Sequence, residues 1–386
     1  MKAGAALVLT DDPSQAAREA VEQARAGLGE EPPAFAVLFA SQHFHVSAQA
    51  LLAAVTEQLG PLPLIGCVAE SVAGGPIEAE SEAAVSLWLA AGVGPVETFA
   101  MEFVRTSSGG AFGGYRFEPD RTGVCLLISD PFTFPAEYLL THLNENAGHT
   151  QVMGGMASGG LGAQRSRLFL DGRILNEGAV GAYLPDARIH PLVSQGCRPI
   201  GDPFTVTAAE GSLVQELGGQ PAMTRLQDLA ASLSAEDREL LAQGVQVGIV
   251  IDEYGSERRQ GDFLIRGILG AQPETGAIAV GDEVDIGQTL QFHVRDAGSA
   301  DQELRRLLEQ ETKDLGGQRA AGALLFTCNG RGARLFPQPN HDTGLIAEVL
   351  GGIPLAGFFC AGELGPVGGQ NYVHTFTASI ALFPGQ

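Results

Sequence analysis

The stretch Ala36-Val-Leu-Phe-Ala-Ser41 is a short apolar run that predicts a buried strand. An amphipathic stretch, Ser47 to Leu59, follows it and predicts a helix that ends at Gly60-Pro61. A second apolar run, Leu62-Pro-Leu-Ile-Gly-Cys67, predicts another strand, and it leads into a loop that contains Glu70 and two glycines. The order of strand, helix, strand and Gly-rich loop therefore defines a structural unit.

This unit occurs three times along the chain. The strands and helix of the second copy are predicted at 124–129, 135–146 and 152–158, and those of the third at 323–327, 342–350 and 354–357. The spacing from the hydroxyl residue of the first strand to the glycine of the second is 25 residues for Ser41–Gly66, 25 for Ser129–Gly154 and 30 for Thr327–Gly357. A further strand-like segment follows each copy, at 84–90, 178–184 and 374–383. A crossover of this length suits two parallel strands joined by a helix.

Between the second and third copies the pattern changes. Two helices are predicted at about 221–232 and 234–243, followed by an antiparallel meander of strands at 245–251, 262–269, 277–280 and 289–294. We therefore predict an α/β (mixed α+β) fold of internally duplicated strand–helix–strand–Gly-loop units, with mixed sheets flanked by helices. The predicted domain boundary lies near residue 190 and separates an N-terminal half, 1–190, from a C-terminal half, 191–386.

Composition excludes several classes of partner. The chain of 386 residues has a net charge of −22, which argues against nucleic acid and against an anionic membrane surface. No segment approaches the roughly 18 consecutive apolar residues of a membrane-spanning helix. Five widely spaced cysteines without a CxxC pair argue against a disulfide framework or a structural zinc site. These features predict a soluble, cytoplasmic protein with reduced thiols and without a metal or cofactor.

The segment from Gly357 to Gly369, with the residues just after it, is the strongest local signal for a binding site. Glycine allows the backbone to approach a ligand closely and exposes N–H donors. Four side chains with useful chemistry lie here, namely Cys360, Glu363, Asn371 and His374. A buried Glu363 needs a cationic or hydrogen-bonding partner. The alternative is a tight turn in which this carboxylate binds loop amides.

Two other places supply candidate ligand-binding residues. Asn329 and Arg331 follow the first strand of the third copy, and ligands of α/β sheets bind beyond the carboxyl ends of strands. Arg331 is suited to a carboxylate, although a solvated turn is an equal alternative. The first copy contributes Cys67 and Glu70, of which the thiol is also typical of a small core residue.

Signals for catalysis are weak, and we assign no catalytic residue. A Cys–His pair that uses Cys360 or Cys328 stays open, yet no nucleophile elbow and no family-type cysteine signature is present. The glycines between 154 and 162 precede a strand instead of a helix, which argues against dinucleotide binding. Asp342 is interpreted as a cap of the helix that follows it.

Several of these stretches resemble the FIST family. Residues 357–369 with 376–383, together with 263–269 and 328–332, resemble the C-terminal FIST half, and residues 66–71 with 85–89 resemble the N-terminal half. The latter has the form seen near the FIST part of a eukaryotic F-box adaptor. The resemblance covers nearly the whole chain, so the halves 1–190 and 191–386 are expected to be FIST-like.

The resemblance implies an intracellular sensory or signalling module that binds a small ligand, an amino acid or a related metabolite, in a pocket at the Gly-rich loop. In this interpretation Arg331 takes a ligand carboxylate, Glu363 takes an ammonium group, and a separate signalling protein reads the bound state. Two alternatives stay open. One is a cysteine-dependent hydrolase or transferase that uses Cys360, and the other is a protein-interaction scaffold.

Overall fold

The computed structural model describes residues 1–106, 109–185, 187–253 and 261–385. By the density of its internal contacts, the chain divides into two compact units. The first unit comprises residues 1–193 and 304–386, and the second comprises residues 194–303. The boundary near residue 190 that the sequence predicts stays a prediction.

Helices and strands follow one another along the chain in four groups. The first group contains β1 (Lys2–Leu9), α1 (Pro13–Leu28), β2 (Phe35–Ser41), α2 (Ala48–Leu59), β3 (Leu64–Ala69), β4 (Val72–Gly74), β5 (Ile77–Ala79) and β6 (Ala84–Ala91). The second contains β7 (Glu97–Thr106), β8 (Gly109–Gly114), β9 (Gly123–Ser129), α3 (Ala136–Asn146), β10 (Thr150–Met156), β11 (Leu168–Leu170), β12 (Arg173–Leu175), β13 (Ala179–Leu184) and β14 (His190–Gln195). The third contains β15 (Cys197–Glu210), β16 (Leu213–Leu217), β17 (Gln220–Pro221), α4 (Ala222–Ser232), α5 (Ala235–Gln243), β18 (Val245–Val250), β19 (Phe263–Gln272), β20 (Ala277–Val280) and β21 (Thr289–Arg295). The last contains α6 (Ala297–Asp314), β22 (Ala320–Cys328), α7 (His341–Leu350), β23 (Leu355–Cys360), β24 (Glu363–Val367), β25 (Gln370–His374) and β26 (Thr377–Pro384).

Each predicted strand–helix–strand unit forms two parallel strands joined by a helix. β2 pairs with β3 through α2, β9 with β10 through α3, and β22 with β23 through α7. A later strand of each unit, β6, β13 or β26, returns antiparallel to the first strand. The first strands are buried along most of their length, as expected of strands that are covered on both faces. The predicted mixed α/β fold with internally duplicated units is confirmed.

The glycine in the second strand of each unit has a geometric role. In register, Gly66 faces Leu38, Gly154 faces Leu127 and Gly357 faces Leu325. A Cβ at Gly66 or Gly154 would lie 1.8 Å from the carbonyl oxygen of the facing leucine, and one at Gly357 would lie 2.3 Å from it. Only glycine allows these two strands to approach so closely.

Beyond its second strand, each unit contributes a hairpin to the sheet of another unit. The hairpin β4–β5 pairs with β23, β11–β12 with β3, and β24–β25 with β10. The first sheet therefore has the order β1-β6-β2-β3-β11-β12, the second β25-β24-β10-β9-β13-β7-β8, and the third β14-β26-β22-β23-β4-β5. This cyclic exchange makes each sheet depend on residues from two units.

The inner faces of the three sheets share one apolar core. Phe39, Phe326 and Phe358 lie in it with ring centroids 4.8–6.4 Å apart, and Cys67 and Cys360 belong to the same core. Helices cover the outer faces: α1 and α2 pack on the first sheet, α3 on the second, and α6 and α7 on the third. The polar residues of the candidate site lie where this core reaches the ends of the strands.

The compact unit of residues 194–303 contains a fourth sheet, with the order β15-β21-β18-β19-β20-β16-β17. The helices α4 and α5 and the strands β18 to β21 lie where the sequence predicts them. β18, β19 and β20 form a meander, but β21 pairs with β18 and β15 instead of β20. The four-stranded meander is thus wrong in its last strand, because β21 fills the place between β18 and β15.

Candidate functional site

The three units meet at the ends of their second strands, around the hydroxyl of Ser158. Its Oγ accepts a hydrogen bond from the Glu70 backbone N–H (2.8 Å) and donates one to the Phe359 carbonyl (2.5 Å). A Cβ at Gly155 would lie 2.4 Å from the Cys360 sulfur, so this thiol packs against the backbone of another unit. The Gly-rich loops therefore form contacts between the three strand–helix–strand units.

Glu363 is the first residue of β24 and is completely buried. Its Oε2 accepts hydrogen bonds from the Thr377 backbone N–H (3.1 Å) and from the Thr377 hydroxyl (2.9 Å). Among the residues that the structure describes, its Oε1 has no hydrogen-bond partner. Burial raises the pKa of this carboxyl to about 8, against the lowering effects of Thr377, of the Cys328 thiol and of the Arg331 charge. The group is consequently protonated near neutral pH.

Arg331 lies close to this carboxyl and forms a buried ion pair. Its Nε and one Nη each donate to an oxygen of Asp342 at 2.8 Å, and both side chains are at most 1% exposed. Thr327 Oγ1 also donates to Asp342 (2.9 Å). Although burial alone would raise it, the pKa of Asp342 is held well below its usual range by Arg331 and His341. Asp342 thus lies in the first turn of α7 as the partner of Arg331, and the interpretation as a cap is wrong.

A rim of acidic side chains, the partly exposed Glu70 and Glu80 and the buried Glu78, lies near this pair. Glu80 accepts from the Ala333 backbone N–H (2.9 and 3.0 Å), and Glu70 forms a 2.5 Å ion pair with Arg334. Glu78 is buried, and burial and the Asp342 charge raise its pKa to about 7. Sequence reasoning missed Glu78 and Glu80, because their partners are brought close only by the exchanged hairpin β4–β5.

The structure brings only some of the predicted site residues together. Arg331 and Glu363 interact, and the Asn329 backbone N–H donates to the Cys360 carbonyl (2.9 Å). Asn371 binds the backbone of β10 through Val152 and Thr150 and the side chain of Asn144, and His374 bonds the Gly365 carbonyl, so both brace the hairpin β24–β25. Glu70 belongs to the rim, and Cys67 belongs to the central core.

The environment of the thiols bears on the cysteine-dependent alternative. Cys360 is completely buried, and burial raises the pKa of its thiol well above the usual value. Cys328 is partly exposed, but burial and the nearby Glu363 raise its thiol pKa as well. A reactive cysteine requires a lowered pKa and access to solvent. The geometry therefore favours protonated, unreactive thiols at this site.

Within the described ranges, no group of three or more His, Cys, Asp or Glu side chains is arranged to hold a metal ion. No helix in the described part of the chain has the length and apolarity needed to cross a membrane.

The contribution of Glu363 to the stability of the fold is expected to fall as pH rises from about 5 to about 8. The folded protein keeps the Glu363 proton up to the raised pKa of about 8, whereas the unfolded chain loses it near 4.5, so the stabilising contribution is lost across this window. We expect this contribution to the free energy of unfolding to decrease by on the order of a few kcal/mol, seen as the difference between the wild type and Glu363→Gln. Urea unfolding at pH 5.5, 7 and 8.5 measures it.

Glu363→Gln should flatten this pH dependence, because the amide keeps the size of the neutral carboxyl and does not titrate. Glu78 contributes to the slope in the same direction, since its pKa is raised to about 7, and Glu78→Gln should remove a smaller part. The exposed Glu82 provides the control, and its replacement by Gln should leave the slope unchanged. Equal slopes in the wild type and the Glu363 variant would contradict the assignment.

Family models and individual relatives both match the chain over most of its length. The sequence model of the FIST N domain matches residues 34–220, and that of the FIST C domain matches residues 222–366. The chain is 49% identical over 383 residues to "Uncharacterized protein Mb0898c" of Mycobacterium bovis, covering 99% of both chains. It is 48% identical to "Uncharacterized protein Rv0628c" of Mycobacterium tuberculosis, covering 99% of this chain and 100% of the relative.

Proposed function

The chain belongs to the FIST family of sensory and signalling domains, and we propose that it is a sensor that binds a small ligand at Glu363. The observation that carries this proposal is the unpartnered Oε1 of Glu363, in a fully buried carboxyl. A buried polar atom without a hydrogen bond is costly, and a strongly perturbed carboxyl is typical of a functional site.

The chemistry of the site favours a ligand with an ammonium group. An ammonium donates three hydrogen bonds and carries the charge that an ionised Glu363 needs. Arg331 is held by Asp342, so a ligand carboxylate would reach Arg334, whose side chain is 57% exposed at the rim. An amino acid combines both groups, and the partly exposed Cys328 lies near Glu363.

The protein is proposed to act in the cytoplasm together with a partner. None of the described cysteines forms a disulfide bond, which supports a reducing, cytoplasmic location. A signalling protein would then read the bound state.

Binding of an amino acid is expected to raise the melting temperature of the wild type and not of Glu363→Gln. A ligand that binds only the native state stabilises it, by about 2.7 kcal/mol at one hundred times its Kd. Differential scanning fluorimetry with the twenty amino acids measures this shift. The matching acids without the ammonium group, and the matching amines without the carboxylate, show which of the two groups the site requires. Glu82→Gln, which removes an exposed carboxylate, should respond like the wild type.

Proton release gives an independent measurement. An ammonium beside Glu363 lowers its pKa from about 8, so binding at pH 7 should release a proton, which calorimetry in buffers of different ionisation enthalpy detects. The proposal is wrong if no amino acid shifts the melting temperature of the folded wild type, or if the Glu363 variant responds equally.

A further inference from the structure

A second candidate site lies on the outer face of the second sheet, away from Glu363. A cavity of about 680 Å³ opens there between α3 on one side and β8 with the segment after it on the other. This volume lies within the range of small-molecule sites, about 300–1,000 Å³. Its lining includes Ala111, Phe112, Tyr115, Arg116, His142 and Leu143.

The cavity results from a difference between the three units. In the first sheet, β1 lies beside β6, the strand that returns antiparallel to β2. β1 is followed by α1, which packs beside α2. In the third sheet α6 packs beside α7 in the same way. In the second sheet the corresponding strand β7 is followed by the strand β8. The flank of α3 thus faces a cavity where α2 and α7 each face a second helix.

The walls of the cavity are held in place before any ligand arrives. Tyr115 is stacked on Phe99 with ring centroids 4.0 Å apart, and its hydroxyl donates to Glu97 (3.2 Å). Phe117 packs edge-on against Tyr115 at 5.0 Å. The buried side chain of Leu143 forms part of the floor. An apolar ring or chain entering here would lose water without requiring the walls to reorganise.

The charge of the rim is the reverse of the charge of the chain. The whole sequence has 45 Asp and Glu against 23 Lys and Arg. Among the described residues that line this cavity, however, Arg116 and His142 occur and no carboxylate does. A neighbouring cavity beside β7 is lined by Glu102 and Glu177, so the local sign is specific to this one. Such a rim attracts an anion.

We propose that this cavity binds a small anionic ligand with an apolar ring or chain. Its acidic group lies at Arg116 and His142, and its apolar body lies against Phe112, Tyr115 and Leu143. The proposal rests on the cavity and its lining, and it does not depend on ligand binding at Glu363.

The fluorescent anion 1-anilinonaphthalene-8-sulfonate and its uncharged counterpart N-phenyl-1-naphthylamine test the two parts of the proposal. The folded wild type should bind one equivalent of the anion in a saturable titration. Arg116→Gln should weaken the anion by about tenfold, the loss expected for one charge-assisted hydrogen bond, and should leave the uncharged probe unchanged. Ala111→Trp, at an exposed position of β8, should fill the cavity and weaken both probes.

Arg105→Gln is the matched control, because Arg105 is an exposed arginine of β7 that does not line the cavity. It should bind both probes like the wild type, and the melting temperature of each variant verifies folding. The proposal is overturned if Ala111→Trp binds both probes as the wild type does, if Arg105→Gln weakens the anion as much as Arg116→Gln does, or if the wild type does not bind the anion.

Discussion

Replacement of Gly154 by alanine is expected to lower the free energy of unfolding by about 3 kcal/mol or more. A Cβ at this position would lie 1.8 Å from the carbonyl oxygen of Leu127, which belongs to the backbone of the paired strand β9. Gly154 also has a φ of 153°, a conformation that other residues rarely adopt. The strands β9 and β10 would have to separate, and both are buried in the central and outer cores.

Urea unfolding followed by the fluorescence of Trp88, the single tryptophan of the chain, measures this loss. Gly344→Ala is the matched control, because Gly344 lies inside α7 and a Cβ there meets no atom within 4 Å. Alanine is the better helix former, so this variant should equal the wild type or exceed it by about 0.5–1 kcal/mol. A Gly154 variant as stable as the wild type would show that the strands can adjust.

The same replacement at Gly66 should cost about as much, since the distance to the carbonyl of Leu38 is also 1.8 Å. Gly357, at 2.3 Å from the Leu325 carbonyl, should follow the same direction. Equivalent behaviour would mean that the glycine belongs to the repeated unit. The glycine content of the third unit is then a consequence of strand packing and is not in itself a sign of a ligand.

The repeated units could be predicted from the sequence because their signals are local. Each first strand is a continuous apolar run, each helix ends near a glycine, and each crossover has a length that suits parallel strands. In each unit, the close approach of the paired strands requires one glycine, which is Gly66 in the first, Gly154 in the second and Gly357 in the third. These features require no knowledge of what lies elsewhere in the chain.

The exchange of hairpins could not be predicted, because it depends on pairings between distant segments. β4 begins three residues after the end of β3, yet it pairs with β23, almost 300 residues further along the chain. Short strands such as Val72–Gly74 and Leu168–Leu170 carry too little pattern to specify a partner. Burial of their apolar side chains in the shared core decides the pairing.

The candidate site depends on distant pairings in the same way. The sequence indicates Glu363 because glycines bracket it, and Arg331 because it follows a predicted strand. The partner Asp342 was assigned to helix capping, and Glu78 carried no signal. Asn371 and His374 turn out to brace a hairpin through backbone contacts, which a polar residue near a glycine loop does not reveal.

Asp342→Asn is expected to destabilise the protein by about 3–5 kcal/mol, because it leaves the fully buried Arg331 without a countercharge. Chemical unfolding measures the loss. The exposed pair of Arg305 and Glu348 is the matched control, since it joins α6 to α7 on the same sheet with comparable geometry, at 2.8 and 3.2 Å. Glu348→Gln should change the stability by less than about 1 kcal/mol.

The double variant Arg331→Met with Asp342→Leu should be clearly more stable than the sum of its single changes predicts, because neither charge is left buried alone. Additive losses would show that the two side chains act separately.

The same double variant decides between two roles of Arg331. If the pair only braces the loop after β22, amino acids should still raise the melting temperature of the double variant. If Arg331 takes a ligand carboxylate, as the sequence alone predicts, that rise should disappear while the Glu363 carboxyl keeps its pH dependence.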